Sequence, residues 1–201
     1  MGQATLTATP TTTDDETVDD TELLNEIAAG NKAAFEAFYR RYYRRVSQFV
    51  YRLTPDRQLG EEIVDDTMLV VWRSAGKFAG RSKVSTWVLG IAYRRAMKAL
   101  DREKKHRSAD HDETILEMQP DGDAARDPLA MAAANTIQRQ LGVFVDKLHI
   151  NQQVALHLTA LGHSYPEISV IVGCPANTVK TRVFKARHKL KGYLSDAGIR
   201  L

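Results

Sequence analysis

The chain has 201 residues, 43% hydrophobic and 26% charged, with a net charge of +3 and one cysteine. That size suits one large domain or two small ones, and the apolar content argues against disorder throughout. One cysteine excludes an internal disulfide framework and a multi-thiolate zinc site, and no apolar run approaches the roughly 18 residues of a membrane span.

Residues 1–20 are rich in Thr and Asp and have almost no large apolar side chain, so they read as a disordered acidic extension. They lack the basic and apolar regions of a secretory signal, and the expectation is a soluble cytoplasmic protein without membrane insertion. Asp20 or Thr21 is placed to cap a short helix through Leu23, Leu24 and Ile27. Residues 32–53 then carry Phe35, Phe38, Tyr39, Tyr42, Tyr43, Val46, Phe49, Val50 and Leu53 at three- and four-residue steps, with arginines opposite. That periodicity predicts a long amphipathic helix. Thr54-Pro55-Asp56 ends it.

A second helix is predicted over 58–78 and a third over 85–105, joined by the basic, glycine-containing loop GKFAGRSK at 76–83. The third carries Trp87, Leu89, Ile91, Ala92, Ala96 and Leu100 on one side and Arg94, Arg95 and Lys98 on the other. Trp72 and Trp87 are read as core residues. Residues 109–130 hold Pro120, Gly122, Pro128 and seven acids against Arg126, the composition of a flexible interdomain linker. Its length inside one compact domain would be unusual, which favours two domains. Further helices are predicted at 131–147, 151–161, 165–172 and 176–194. No period-2 strand pattern competes. The fold class is therefore all-α: two small helical domains, 21–108 and 131–195, joined by the acidic linker 109–130, with 196–201 as a tail.

The small net charge hides opposed blocks. Residues 1–22 carry six acids and no base; 23–108 carry 18 Lys/Arg against 9 Asp/Glu; 176–201 carry seven bases against Asp196. Two basic blocks on periodic helices point to a polyanion partner, most simply nucleic acid. In the second block, Ser164-Tyr165-Pro166-Glu167 has the form of a capping box with proline in the first turn. Gly173 sits where a helix end calls for positive φ, and Asn177 or Thr178 is placed to cap the next helix. That helix turns Val179, Val183, Ala186 and Leu190 inward and a basic face outward. A short helix, a tight turn and a basic second helix match a helix-turn-helix, whose second helix enters the major groove. Lys180, Arg182, Lys185, Arg187 and Lys189 are candidates for the DNA face, with Asn177, Thr178, Thr181, Arg182 and Lys185 nearest base edges.

Here the sequence resembles a family. Residues 164–190, SYPEISVIVGCPANTVKTRVFKARHKL, are similar to the region 4 helix-turn-helix of bacterial RNA polymerase sigma factors of the extracytoplasmic-function (ECF) group. EEIVDDTMLVVW at 61–72, Phe78-Ala79-Gly80 and STWVLGIAYRRAMKALDREKK at 85–105 resemble region 2 of the same factors, in the same order. The resemblance covers roughly 22–195. It implies an alternative sigma factor that binds core polymerase, recognises and melts the −10 element through region 2, and binds the −35 element through region 4.

By that resemblance Glu61, Glu62, Asp65 and Asp66 meet the β′ clamp helices, and region 4 meets the β flap. Like charges at i,i+4, as in Glu61–Asp65 and Glu62–Asp66, oppose helix formation, so such a patch suggests a cationic partner, although dipole compensation also accounts for Glu61 and Glu62. Phe78, Arg81 and Lys83 would serve the −10 loop, where a flipped base needs an apolar pocket and backbone-tracking cations, with Arg94, Arg95 and Lys98 on upstream phosphates. An anti-sigma factor is a further implied partner. The loop GRSKVS departs from the small-acidic type common in the group, and the acidic N-terminal extension departs from its minimal pattern.

Two rivals are weighed. An enzyme lacks support: the histidines form no ligand motif, and there is no P-loop, GxGxxG or Gly-x-Ser-x-Gly, so no cofactor, metal or catalytic residue is expected. A self-contained regulator with a helix-turn-helix output would account for 131–195 but not for an acidic patch beside a basic loop at 60–105.

Overall fold

The computed structural model describes residues 19–54, 56–109 and 141–197, with side chains described to 106 in the second segment. Among them are α1 (Asp20–Ala28), α2 (Lys32–Tyr51), α3 (Arg57–Ser74), a 3₁₀ turn (Ala75–Lys77), α4 (Val84–Ala109), α5 (141–146), α6 (Ile150–Ala160), α7 (Tyr165–Val172) and α8 (Ala176–Asp196). No strand occurs among the described residues, in keeping with the all-α expectation. The expected N-terminal extension, linker and C-terminal tail, and the first part of the helix expected at 131–147, lie largely outside the described residues.

Local chemistry sets the helix ends. The Asn31 side chain accepts from the amides of Ala33 and Ala34 at the start of α2, and Asp56 does the same for Gln58 and Leu59 at the start of α3. Each satisfies donors that a first turn leaves unpaired. The expected capping box is present on α7: Ser164 Oγ accepts from Glu167 N while the Glu167 carboxylate accepts from Ser164 N at 2.8 Å. Gly173 ends α7 at φ +67, as its position implied.

Two expected caps differ. Asp19 rather than Asp20 or Thr21 is the N-cap of α1, without a side-chain cap bond. Asp20 instead accepts from Arg41 Nη1 at 2.8 Å and from the Tyr42 hydroxyl, because a cation and a phenol offer the carboxylate more than the helix amides do. Burial, then the bond to Asp20, push the Tyr42 hydroxyl's pKa well above its ordinary value. At α8, Pro175 rather than Asn177 or Thr178 occupies the cap position, again without a side-chain cap bond. Asn177 and Thr178 thus fall in the first turn.

Phe38, Val46, Phe49 and Val50 of α2 meet Val64, Met68 and Val71 of α3 and Val88, Leu89 and Ala92 of α4, all buried. Trp72 and Trp87 pack against this core half-buried, as expected of core residues. Tyr43 does not: it is exposed and stacks on Tyr39, since it lies one position beyond the buried stripe. The same apolar cluster continues through Val154 and Leu158 of α6, Ile168 and Ile171 of α7 and Val179 and Val183 of α8. In this arrangement α7 lies against α4, so the two helical blocks share a core. A smaller cluster of Leu148, Ala186 and Leu190 continues the buried stripe of α8 toward its C-terminal end.

One contact between the blocks carries a titratable group. The His157 ring of α6 stacks on Phe49 of α2, centroids 6.1 Å apart and planes 12° apart, and its Nε2 is buried without a hydrogen-bond partner. Burial, then the nearby Arg52 charge, push its pKa down to about 4. Between pH 6.5 and 4 the unfolded chain therefore binds the extra proton, and stability falls as pH drops through that window. The depression corresponds to roughly 3 kcal/mol. Asp146 also lies near Arg52, and partial burial raises its pKa. Replacing His157 with Leu is expected to flatten the urea-midpoint change from pH 6.5 to 4; an unchanged slope would contradict the assignment.

Candidate nucleic-acid interface

The acidic residues of α3 are all exposed and form one face, because Glu61, Glu62, Asp65 and Asp66 alternate with the buried pairs Ile63–Val64 and Thr67–Met68. Glu61 pairs with Arg57 at 3.2 Å. Asp66 lies 3.8 Å from Arg95, so one acid of the face meets one base expected to serve DNA. Glu62 and Asp66 line a groove of about 250 Å³ with Arg95, Lys98 and Arg102 of α4. Leu69, one turn on, is 42% exposed. An exposed leucine beside a carboxylate row suits a protein surface better than a DNA backbone. The sequence reading passed over Leu69; its place one turn after Asp65 was the available signal.

The 78–83 loop divides its residues. Phe78 is half-buried against Trp87, ring centroids 5.5 Å apart, so it forms the loop's floor. Arg81 and Lys83 are exposed. Lys83 Nζ donates to Glu167 Oε1 of α7 at 2.8 Å. That bond, then those from Ser164, hold the Glu167 pKa down at about 2. Arg94 and Lys98 are exposed one turn apart on α4, while Arg95 is half-buried.

On α8, at 3.6 residues per turn, Asn177, Thr181, Phe184 and His188 fall along the centre of the face opposite the buried Val179, Val183 and Ala186. Lys180 and Arg187 flank it on one side, and Arg182, Lys185 and Lys189 on the other. Asn177, Thr178, Thr181, Arg182 and Lys185 meet in a polar groove of about 460 Å³ with His149, Asn151 and Gln152 from the start of α6. The sequence reading did not place those three α6 residues beside α8. Gln152 Oε1 is buried there without a partner among the described residues. Arg182 is half-buried: its Nη1 lies 3.4 Å from Cys174 Sγ, and its charge acts on Tyr93 of α4. Phe184, stacked on His188, is 71% exposed in the middle of this face. It was missed because its hydrophobicity reads as core; counting helical positions places it outside.

Comparisons with known proteins identify the family of the chain and the fold it shares with solved structures. The family model "Sigma-70 region 2" matches residues 38–106, and "Sigma-70, region 4" matches 138–190. The RNA polymerase sigma-H factor of Pseudomonas aeruginosa is 26% identical over 174 residues, covering 84% of this chain and 90% of the relative. The ECF RNA polymerase sigma-E factor of Escherichia coli (strain K12) is 27% identical over 173 residues, with the same coverage. Among solved structures, CnrH in complex with the cytosolic domain of CnrY matches with a TM-score of 0.63 at 19% identity, over 88% of this chain and 97% of that one. The sigma factor RpoE in complex with the anti-sigma factor NepR, from Bartonella quintana, matches with a TM-score of 0.62 at 22% identity, over 80% and 96%. No described helix is long and apolar enough to cross a membrane.

Proposed function

The chain belongs to the sigma-70 family, as an ECF-type alternative sigma factor that directs promoter-specific initiation, and from that premise we propose how its own residues divide the work. The observation that carries the division is the presence, on one chain, of an exposed acidic face on α3 and an exposed basic and polar face on α8.

Glu61, Glu62, Asp65 and Asp66, with Leu69 beside them, dock the factor on core polymerase. Arg81, Lys83, Arg94 and Lys98 track the backbone of the −10 region, with Phe78 supporting the loop from below and Arg95 holding Asp66. α8 enters the major groove at −35. Asn177, Thr178, Thr181, Arg182 and Lys185 approach base edges, and Lys180, Arg187 and Lys189 meet phosphates on either flank. Phe184 is suited to apolar contact with a thymine methyl. The covalent chemistry of initiation belongs to the polymerase, and this chain contributes binding alone. It acts in the cytoplasm, the compartment of its polymerase. Two fold relatives were solved with CnrY and with the anti-sigma factor NepR, and an anti-sigma factor is the corresponding partner here.

A bidentate Arg–base contact discriminates by about 1–3 kcal/mol. Arg182→Ala is therefore expected to weaken holoenzyme binding to a dependent promoter by roughly 10- to 100-fold. Abortive initiation titrated against promoter concentration reads this, and unchanged initiation would remove Arg182 from the base-reading set.

A further inference from the structure

A basic groove of about 800 Å³ lies between α2 and the α6–α7 turn. Arg41, Arg44, Arg45 and Lys83 line it against only two acids, Asp20 and Glu167. Arg44 and Arg45 are exposed and make no ion pair among the described residues. Neither is assigned above to polymerase or DNA.

We propose that this groove binds the chain's own acidic segment 14–19. The chain already enters the groove at Asp20, whose carboxylate is held by Arg41 and Tyr42. Immediately upstream are Asp19, Glu16, Asp15 and Asp14, with no base anywhere in residues 1–19. At no more than about 3.4 Å per residue, Asp14 stays within roughly 20 Å of Asp20. A tether that short presents the carboxylates to Arg44 and Arg45 at an effective concentration of the order of millimolar. The groove volume is within the range of clefts that accept small ligands, and its excess charge is the complement of the segment's. Because Lys83 is already paired with Glu167 across the groove, Arg44 and Arg45 of α2 supply the uncompensated charge, and the bound segment lies against α2. It also competes with any other polyanion for the groove.

The test uses the full-length free protein, without DNA or polymerase, so its failure is distinguishable from failure of the promoter assignment. A photo-crosslinking amino acid replaces Thr17, and the products are mapped by peptide mass spectrometry. Crosslinks to peptides spanning 41–48 or 161–167 are expected, falling at least 10-fold in Arg44→Glu/Arg45→Glu and on raising salt from 0.05 to about 1 M, where the Debye length shrinks to about 3 Å. Adding Asp14→Arg/Asp15→Arg to the reversed groove restores the yield. That restoration also shows that the reversed protein is folded. Crosslinks confined to other surfaces, or a yield indifferent to both charge reversal and salt, would overturn the proposal.

Discussion

Reversing Asp65 and Asp66 to lysine is expected to abolish stable association with core polymerase while leaving the fold intact. Both side chains are exposed on α3, so the change creates no cavity and buries no charge. It also removes two like-charge i,i+4 repulsions, with Glu61 and Glu62, which destabilise the helix by a few tenths of a kcal/mol each. The change at 66 also exchanges the Arg95 contact for a like-charge one, a small effect at an exposed site, so helix content and melting temperature should stay close to those of the unmutated factor. Removing one partner of a charge pair buried in an interface costs about 2–5 kcal/mol. Reversal adds repulsion, so the affinity for core should fall at least roughly 30-fold. Co-elution with core on size exclusion, beside circular dichroism of the free factor, separates the two effects. Retained co-elution by a folded variant would place core docking elsewhere.

Enlarging Gly90 is expected to drive the two helical blocks apart. Gly90 lies in α4 where α7 crosses: a Cβ there would sit 3.7 Å from the Cα and carbonyl oxygen of Ile171, an ordinary van der Waals contact, and 3.3 Å from the mobile end of Arg94. Gly90→Ala therefore fits. It should raise stability by about 0.5–1 kcal/mol, because glycine costs that much inside a helix. Gly90→Trp cannot fit without moving the α7 backbone, and overpacking of this kind costs about 1–3 kcal/mol. Moving α7 also strains the Lys83–Glu167 bond and frees Arg182 from Cys174, which follows α7 directly. The expected results are a larger radius of gyration for Gly90→Trp than for Gly90→Ala and tighter binding of −35 duplex by the free factor. Equal radii for the two variants would show that this contact does not hold the blocks together.

The contrast between these substitutions marks how much was legible in the chain. Gly90 drew no attention in the sequence, since a helical glycine carries no local signal; only the crossing of α7 gives it a role. Phe184 differs: a phenylalanine beside Val183 reads as core by its hydrophobicity, although counting helical positions along α8 already places it outside. Ser164, Glu167 and Gly173 were the opposite case. A capping box and a left-handed terminus are settled within a few residues, and the structure reproduces both. The Asp20, Asn177 and Thr178 caps were misread for a related reason: distant or neighbouring groups outcompeted or displaced a local bond that was itself plausible.

By itself, the sequence determined the helical class, the approximate span of each described helix, the acidic face of α3, the basic face of α8 and the membership in the sigma-70 family. The membership rests on resemblance; the rest depends on periodicity, capping and charge, which act over one or two helical turns. The tertiary structure alone decided that Asp66 answers Arg95, that Lys83 answers Glu167, that Arg182 sits beside Cys174, and that His157 is buried against Phe49. These pairings depend on which helices cross and at what distance. That choice is made by burying apolar surface from the whole chain at once, and no short window of sequence encodes it.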